Sequence, residues 1–201
     1  VQAPDDGDGD FTPDGIYDLK VELDTVSGES DSAVRYTDRE EDVVLVMDVS
    51  GSMGVSGKLD AAEEAGALLV NELADNDQGA LVWFSGDGTE PNRDADTPFE
   101  LDAMTVGNQA ALITAIKTLS LQNMTSIGDG LTEGLEETGS PRADPDHYCS
   151  LVLLSDGVEN EEAYWSEVQP DAAESPCLIH VVALGPDADE LLLQDIQEKG
   201  T

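Results

Sequence analysis

Three features of the sequence predict an α/β fold, doubly wound, with a mostly parallel central sheet flanked by helices on both faces. Several apolar runs are too continuous for strands with one wet face. The segments between them carry apolar residues at helical spacing. Strand-like and helix-like stretches alternate along residues 41–201, the pattern of a parallel sheet with right-handed helical crossovers.

The elements follow in order. Val43, Val44, Leu45, Val46 and Met47 form an unbroken run with β-branched members, as expected of a strand buried on both faces. Over 58–73, Leu59, Ala62, Ala65, Ala67, Leu68, Leu69 and Leu73 make a broad apolar helical face. Residues 80–84 read as a second strand, and 98–104 alternate weakly, as an edge strand does. Leu112, Ile113, Ile116 and Leu119 recur at helical spacing within 109–119, and 127–137 read as another helix. Two further strand-like runs, 148–154 and 177–184, are separated by residues 160–168. A closing helix over 187–197 carries Leu191, Leu192, Leu193 and Ile196.

Ahead of this domain, residues 1–40 form an extension. The first fifteen, rich in Asp, Gly and Pro, read as a solvated linker; no register supplies both the glycine and the terminal acid of an EF-hand loop. Within 16–26, Tyr17, Leu19, Val21 and Leu23 share one face, which predicts an extra strand. The chain starts at Val1 and stops at Gly200-Thr201, and is expected to be a fragment of a larger surface protein.

Ligands of open α/β sheets bind beyond the carboxyl ends of the strands. Asp48 and Asp156 are expected at such ends, and Thr125, just before a helix, falls at the same rim if the chain returns there. In an extended segment Asp48, Ser50 and Ser52 would point the same way, with Gly51 allowing a tight turn. Together these residues offer five hard oxygen donors, which suit Mg²⁺, Mn²⁺ or Ca²⁺ rather than zinc or copper. Three of the five are neutral hydroxyls, so the ion would stay electrophilic toward one more anionic oxygen.

The segments Asp48-Val49-Ser50-Gly51-Ser52-Met53, Thr125-Ser126-Ile127-Gly128-Asp129-Gly130-Leu131 and Leu153-Leu154-Ser155-Asp156-Gly157 resemble those of a von Willebrand factor A-type (integrin I-like) domain. That resemblance implies a Rossmann-type three-layer fold and a metal-ion-dependent adhesion site at Asp48, Ser50, Ser52, Thr125 and Asp156. It further implies that Ser50, Ser52 and Thr125 touch the metal, Mg²⁺ first among the candidates, while Asp48 and Asp156 act mostly through water. A partner protein's Glu or Asp would complete the octahedron. Relatives of this family also continue into a further short strand beyond the position of Thr201. The expected role is adhesion or surface assembly, with a scaffold subunit of an intracellular chelatase-type ATPase as the alternative and a metal-dependent hydrolase third.

Charge is the second strong signal. The 201 residues hold 45 acidic and 8 basic side chains, a net charge of −37. Such self-repulsion is tolerated where salt screens it, which predicts a halophilic source, and it leaves no basic footprint for nucleic acid. No apolar stretch reaches the length of a membrane span. Cys149 and Cys177 begin two consecutive strand runs and lie side by side if those strands are neighbours; a bridge between them would place the protein outside the cell or at its surface. Asn123-Met124-Thr125 is formally a glycosylation sequon, expected to be unused because its threonine is a candidate ligand.

The chain is expected not to be an enzyme. Ser50 and Ser52 lack a nucleophile elbow, and His147 and His180 are expected to be structural. Asp129 could act as a base toward a metal-bound water, but an Asp at a helix N-terminus is common for dipole reasons alone.

Overall fold

The structure, a computed structural model, describes residues 40–88 and 93–200. The expected linker over 1–15 and strand over 16–26 lie outside the described residues. Among these, β1 (Glu41–Asp48), β2 (Gln78–Phe84), β3 (Ala95–Ala103), β4 (Tyr148–Ser155) and β5 (Leu178–Ala183) form one sheet in the order β3-β2-β1-β4-β5. β1 runs parallel to β2 and β4, β4 runs parallel to β5, and β3 alone is antiparallel, against β2. The helices are α1 (Lys58–Glu72), α2 (Val106–Ile116), α3 (Ile127–Thr138), α4 (Trp165–Glu174) and α5 (Glu190–Lys199).

The central strand explains the layering. Val44 and Val46 face one core with Ile127 and Leu131 of α3, Trp165 and Val168 of α4 and Ile196 of α5. Their neighbours Leu45 and Met47 face the other, with Leu59, Ala62 and Val70 of α1 and Leu112 and Ile116 of α2. Strand side chains alternate between faces, so a strand apolar at every position must be covered on both. The doubly wound, mostly parallel fold predicted from the sequence is the fold observed.

Local differences have local causes. The helix expected over 109–119 starts earlier, at Val106, because the Thr105 side chain accepts from the Asn108 N–H and caps it. The edge strand expected over 98–104 occupies Ala95–Ala103, its alternating exposure consistent with one wet face. α4 was hidden in the sequence: it is ten residues long and contains Pro170, which reads as a breaker. His180 lies exposed on β5. No helix among the described residues is long and apolar enough to cross a membrane.

Candidate metal centre

The carboxyl ends of β1 and β4 lie side by side in the middle of the sheet, and this delivers Asp48 and Asp156 to one rim. Asp48 ends β1 in register with Phe84 of β2, and the chain beyond it stays anchored because the Val49 N–H donates to the Phe84 carbonyl at 3.0 Å. Asp156 follows the last residue of β4, Ser155, whose carbonyl accepts from the Leu184 N–H at 3.0 Å.

Between Asp48 and α1 the chain does not remain extended. Ser50 is extended, but Gly51–Gly57 wind into a 3-10 segment containing a left-handed Ser56. Ser52 therefore reaches Ser50 through a tight turn, not through the strand alternation expected from the sequence; the two Oγ atoms are 3.0 Å apart. The outcome, two hydroxyls facing one spot, is the same.

Thr125 is brought to this rim by backbone stitching. The Gln122 N–H donates to the Val49 carbonyl at 2.7 Å and the Gly51 N–H to the Asn123 carbonyl at 2.9 Å. A Cβ at residue 51 would stand 3.1 Å from that same carbonyl, so glycine permits the close approach of the two loops. From the other side, the Thr125 carbonyl accepts from the Asn160 and Glu161 N–H groups at 3.1 Å each, and the Thr125 N–H donates to Asn160 Oδ1 at 3.0 Å. The loop after β4 is thereby tied to the loop before α3. Asp48, Ser50, Thr125 and Asp156 are buried, and Ser52 is half-buried.

The electrostatics are those of a site short of positive charge. Asp48 is fully buried, and its carboxylate accepts from the Ser50 N–H at 2.8 Å and the Ser155 hydroxyl at 2.6 Å. Among the described residues no side-chain cation pairs with it. Burial pushes its pKa up to about 6; the bonds from Ser155 and Ser50 oppose that shift, while the Asp156 charge reinforces it. Asp156 differs: its Oδ2 accepts from Lys58 Nζ at 2.9 Å, and Lys58 reaches Asp187 Oδ2 at 2.8 Å. Burial opposes the charge on Lys58, but Asp187 and Asp156 outweigh it and hold the ammonium above its ordinary pKa.

Lys58, Ser155 and Asp187 were not singled out from the sequence. One signal existed: Lys58 opens a helix, where the dipole disfavours a cation, and a lysine there in a chain so poor in basic residues calls for a carboxylate partner. Asp129, considered as a base, is engaged structurally, its Oδ2 accepting from Ser126 Oγ and from the Asp94 N–H, both at 3.0 Å. Cys149 and Cys177 form a disulfide, with Cα atoms 4.7 Å apart, one residue before the paired positions Ser150 and Leu178. His147 is structural: its Nδ1 lies 2.7 Å from Oδ1 of buried Asp42.

Comparison with known proteins agrees with this architecture. The von Willebrand factor type A domain model matches residues 42–201. Calcium-activated chloride channel regulator 1 of Sus scrofa is 32% identical over 160 residues, covering 79% of this chain and 16% of that protein. Inter-alpha-trypsin inhibitor heavy chain H3 of Mus musculus is 31% identical over 124 residues, covering 60% of this chain and 13% of that protein. The chain thus spans only a small part of the length of these curated relatives. Among solved structures, the von Willebrand factor type A protein from Catenulispora acidiphila shares the fold, with a TM-score of 0.67 and 20% identity over 80% of this chain and 37% of that one. With the family model matching residues 42–201, this chain belongs to the von Willebrand factor type A domain family.

Proposed function

We propose that the domain is a metal-dependent protein-binding module, used in adhesion or surface assembly, that captures an acidic residue of a partner through a divalent cation at Asp48, Ser50, Ser52, Thr125 and Asp156. The observation that carries this reading is a fully buried Asp48 with no cationic partner among the described residues, beside two hydroxyls 3.0 Å apart. A buried carboxylate without a counter-charge is costly, and a hard cation supplies that charge and is matched by an all-oxygen donor set. Ser155 orients the Asp48 carboxylate, and Lys58 holds Asp156 in place with part of its charge already answered. When bound, the cation supplies an incompletely neutralised Lewis acid that favours one more carboxylate oxygen.

Mg²⁺ is the proposed resident ion, because two carboxylates and three hydroxyls fit a small octahedral shell with room for water; Mn²⁺ and Ca²⁺ are the substitutes. The Cys149–Cys177 disulfide supports an extracellular or cell-surface setting over the intracellular ATPase scaffold. Net charge supports a saline milieu and argues against nucleic acid as partner.

The test is calorimetry of Mg²⁺ and Mn²⁺ with the wild type, Asp48→Ala and Thr125→Ala, joined to a chelator-controlled pull-down from the native surface. Both variants are expected to lose cation binding at this site and cation-dependent capture while melting as folded proteins. Unchanged isotherms in folded variants would remove the assignment.

A further inference from the structure

A second acidic constellation lies at the same rim but shares no residue with the first. Asp87 follows β2, Asp94 precedes β3, and Glu161 belongs to the loop between β4 and α4. One carboxylate oxygen of each lies within 4.8 Å of the others. Acidic clusters are unremarkable in a chain of this charge; the state of Glu161 is what sets this one apart.

Glu161 is only 5% exposed, and its Oε2 is buried without a hydrogen-bond partner, a state shared by one other side-chain atom among the described residues, Gln78 Oε1. Its carboxyl accepts from the Gly88 N–H, yet the charged neighbours that weigh on it, Asp94, Asp87 and Asp129, are all acidic. The orphan oxygen sits in a cradle that glycine creates: a Cβ at residue 86 would overlap Glu161 Oε2. The nearby cation Arg93 is engaged by Glu133 at 2.8 Å and Glu136 at 2.5 Å. A buried carboxylate oxygen with neither donor nor counter-ion costs free energy unless something else answers it.

We infer that Asp87, Asp94 and Glu161 form a second cation site, selective for Ca²⁺ and independent of Asp48. Three oxygens within 4.8 Å of one another fit inside a Ca²⁺ shell, whose donors at about 2.4 Å from the ion stand up to about 4.8 Å apart. Three carboxylates also exceed what Mg²⁺, which keeps its waters, usually accepts from protein. The Asp87 N–H donates to Asp94 Oδ2 at 3.4 Å and the Ser85 N–H to the Asp94 carbonyl at 3.0 Å, so the segments carrying two of the ligands are bonded to each other directly. The third comes from the loop whose Asn160 and Glu161 N–H groups hold the Thr125 carbonyl. Ca²⁺ here would clamp Asp87 and Asp94, beside the ends of β2 and β3, to that loop and so brace Thr125.

The experiment titrates Ca²⁺ alone into the intact chain in about 1 M KCl, where a Debye length of about 3 Å suppresses diffuse counter-ion binding. It is run on the wild type, Asp48→Ala, Glu161→Gln, Asp94→Asn and, as an exposed control, Asp102→Asn. Asp48→Ala is expected to keep one calorimetric step and a Ca²⁺-dependent rise in melting temperature. Adding Glu161→Gln or Asp94→Asn should abolish both, with at least a tenfold loss of Ca²⁺ affinity, while Asp102→Asn should leave both intact. Because the Asp48→Ala background carries the measurement, failure of the first site and failure of this one are distinguishable. An unchanged step in folded Glu161→Gln and Asp94→Asn, or an equal loss in Asp102→Asn, overturns the proposal. Glu161→Gln removes a buried charge, so it is expected to melt no lower than wild type without Ca²⁺.

Discussion

In the proposed function, Asp48 ties protonation to metal capture. Its pKa, raised by burial to about 6, lies above the ordinary carboxylate value, so the metal-free folded state holds this proton more tightly than the unfolded chain does. This contribution to stability is present at low pH and is lost as pH rises through the window from the ordinary value to about 6. A cation must displace the same proton, so Mg²⁺ affinity should fall about tenfold per pH unit below that pKa. Calorimetry at three pH values around 6 checks this, and an isotherm independent of pH would contradict it. His147 has the opposite sense. Burial opposes its charge, but Asp42, Asp144 and Glu40 outweigh it, so its pKa is raised and its stabilisation is full below the unfolded value and fades as pH rises through the folded one. His147→Ala should destabilise by about 2–4 kcal/mol at mildly acidic pH, since it strands buried Asp42. Urea titration at acidic and alkaline pH reads the difference. Asp48, Ser50 and Ser52 could be picked out in the sequence by their alternate spacing, and Thr125 and Asp156 by the motifs that resemble the family's. Lys58 and Ser155 could not, because their bonds to Asp156 and Asp48 close over 98 and 107 residues.

At the scale of elements, α3 matters most to the rim, since it begins two residues after Thr125 and packs on the sheet. Its glycines set how near it can lie: a Cβ at Gly134 would stand 2.9 Å from Leu151 and 3.0 Å from Val46, both buried. Gly134→Ala gains helix propensity but overpacks, and should cost about 1–3 kcal/mol by urea denaturation. A gain in stability would mean that the helix can lift off the sheet freely. Glu159 joins α3 to α4. Burial raises its pKa to about 7, although backbone N–H groups of Trp165, Gly128 and Ile127, at the starts of the two helices, favour its charge. Its burden therefore appears as pH rises from the ordinary glutamate range to about 7, and Glu159→Gln should flatten the metal-free stability profile there. The strands were legible because two-sided burial forces continuous apolar runs, whereas α4 was not, because Pro170 masked a short helix held by Trp165, Val168 and Ala172 in the core.

For the whole molecule, the net charge of −37 makes salt a structural variable. The melting temperature should climb steeply from dilute buffer to about 1 M KCl and then level off, as the Debye length shrinks to about 3 Å. By the same screening, an acidic partner should bind more tightly in molar salt, and steady weakening with salt in folded protein would contradict this. Reduction of the disulfide should lower stability by up to about 3.5 kcal/mol, the chain-entropy value for its 28-residue span. Lys58 answers Asp156 without help from any ion. Its ammonium pins the start of α1 to the two loops carrying Asp156 and Asp187, so this corner of the rim is tied together by the chain's own charges.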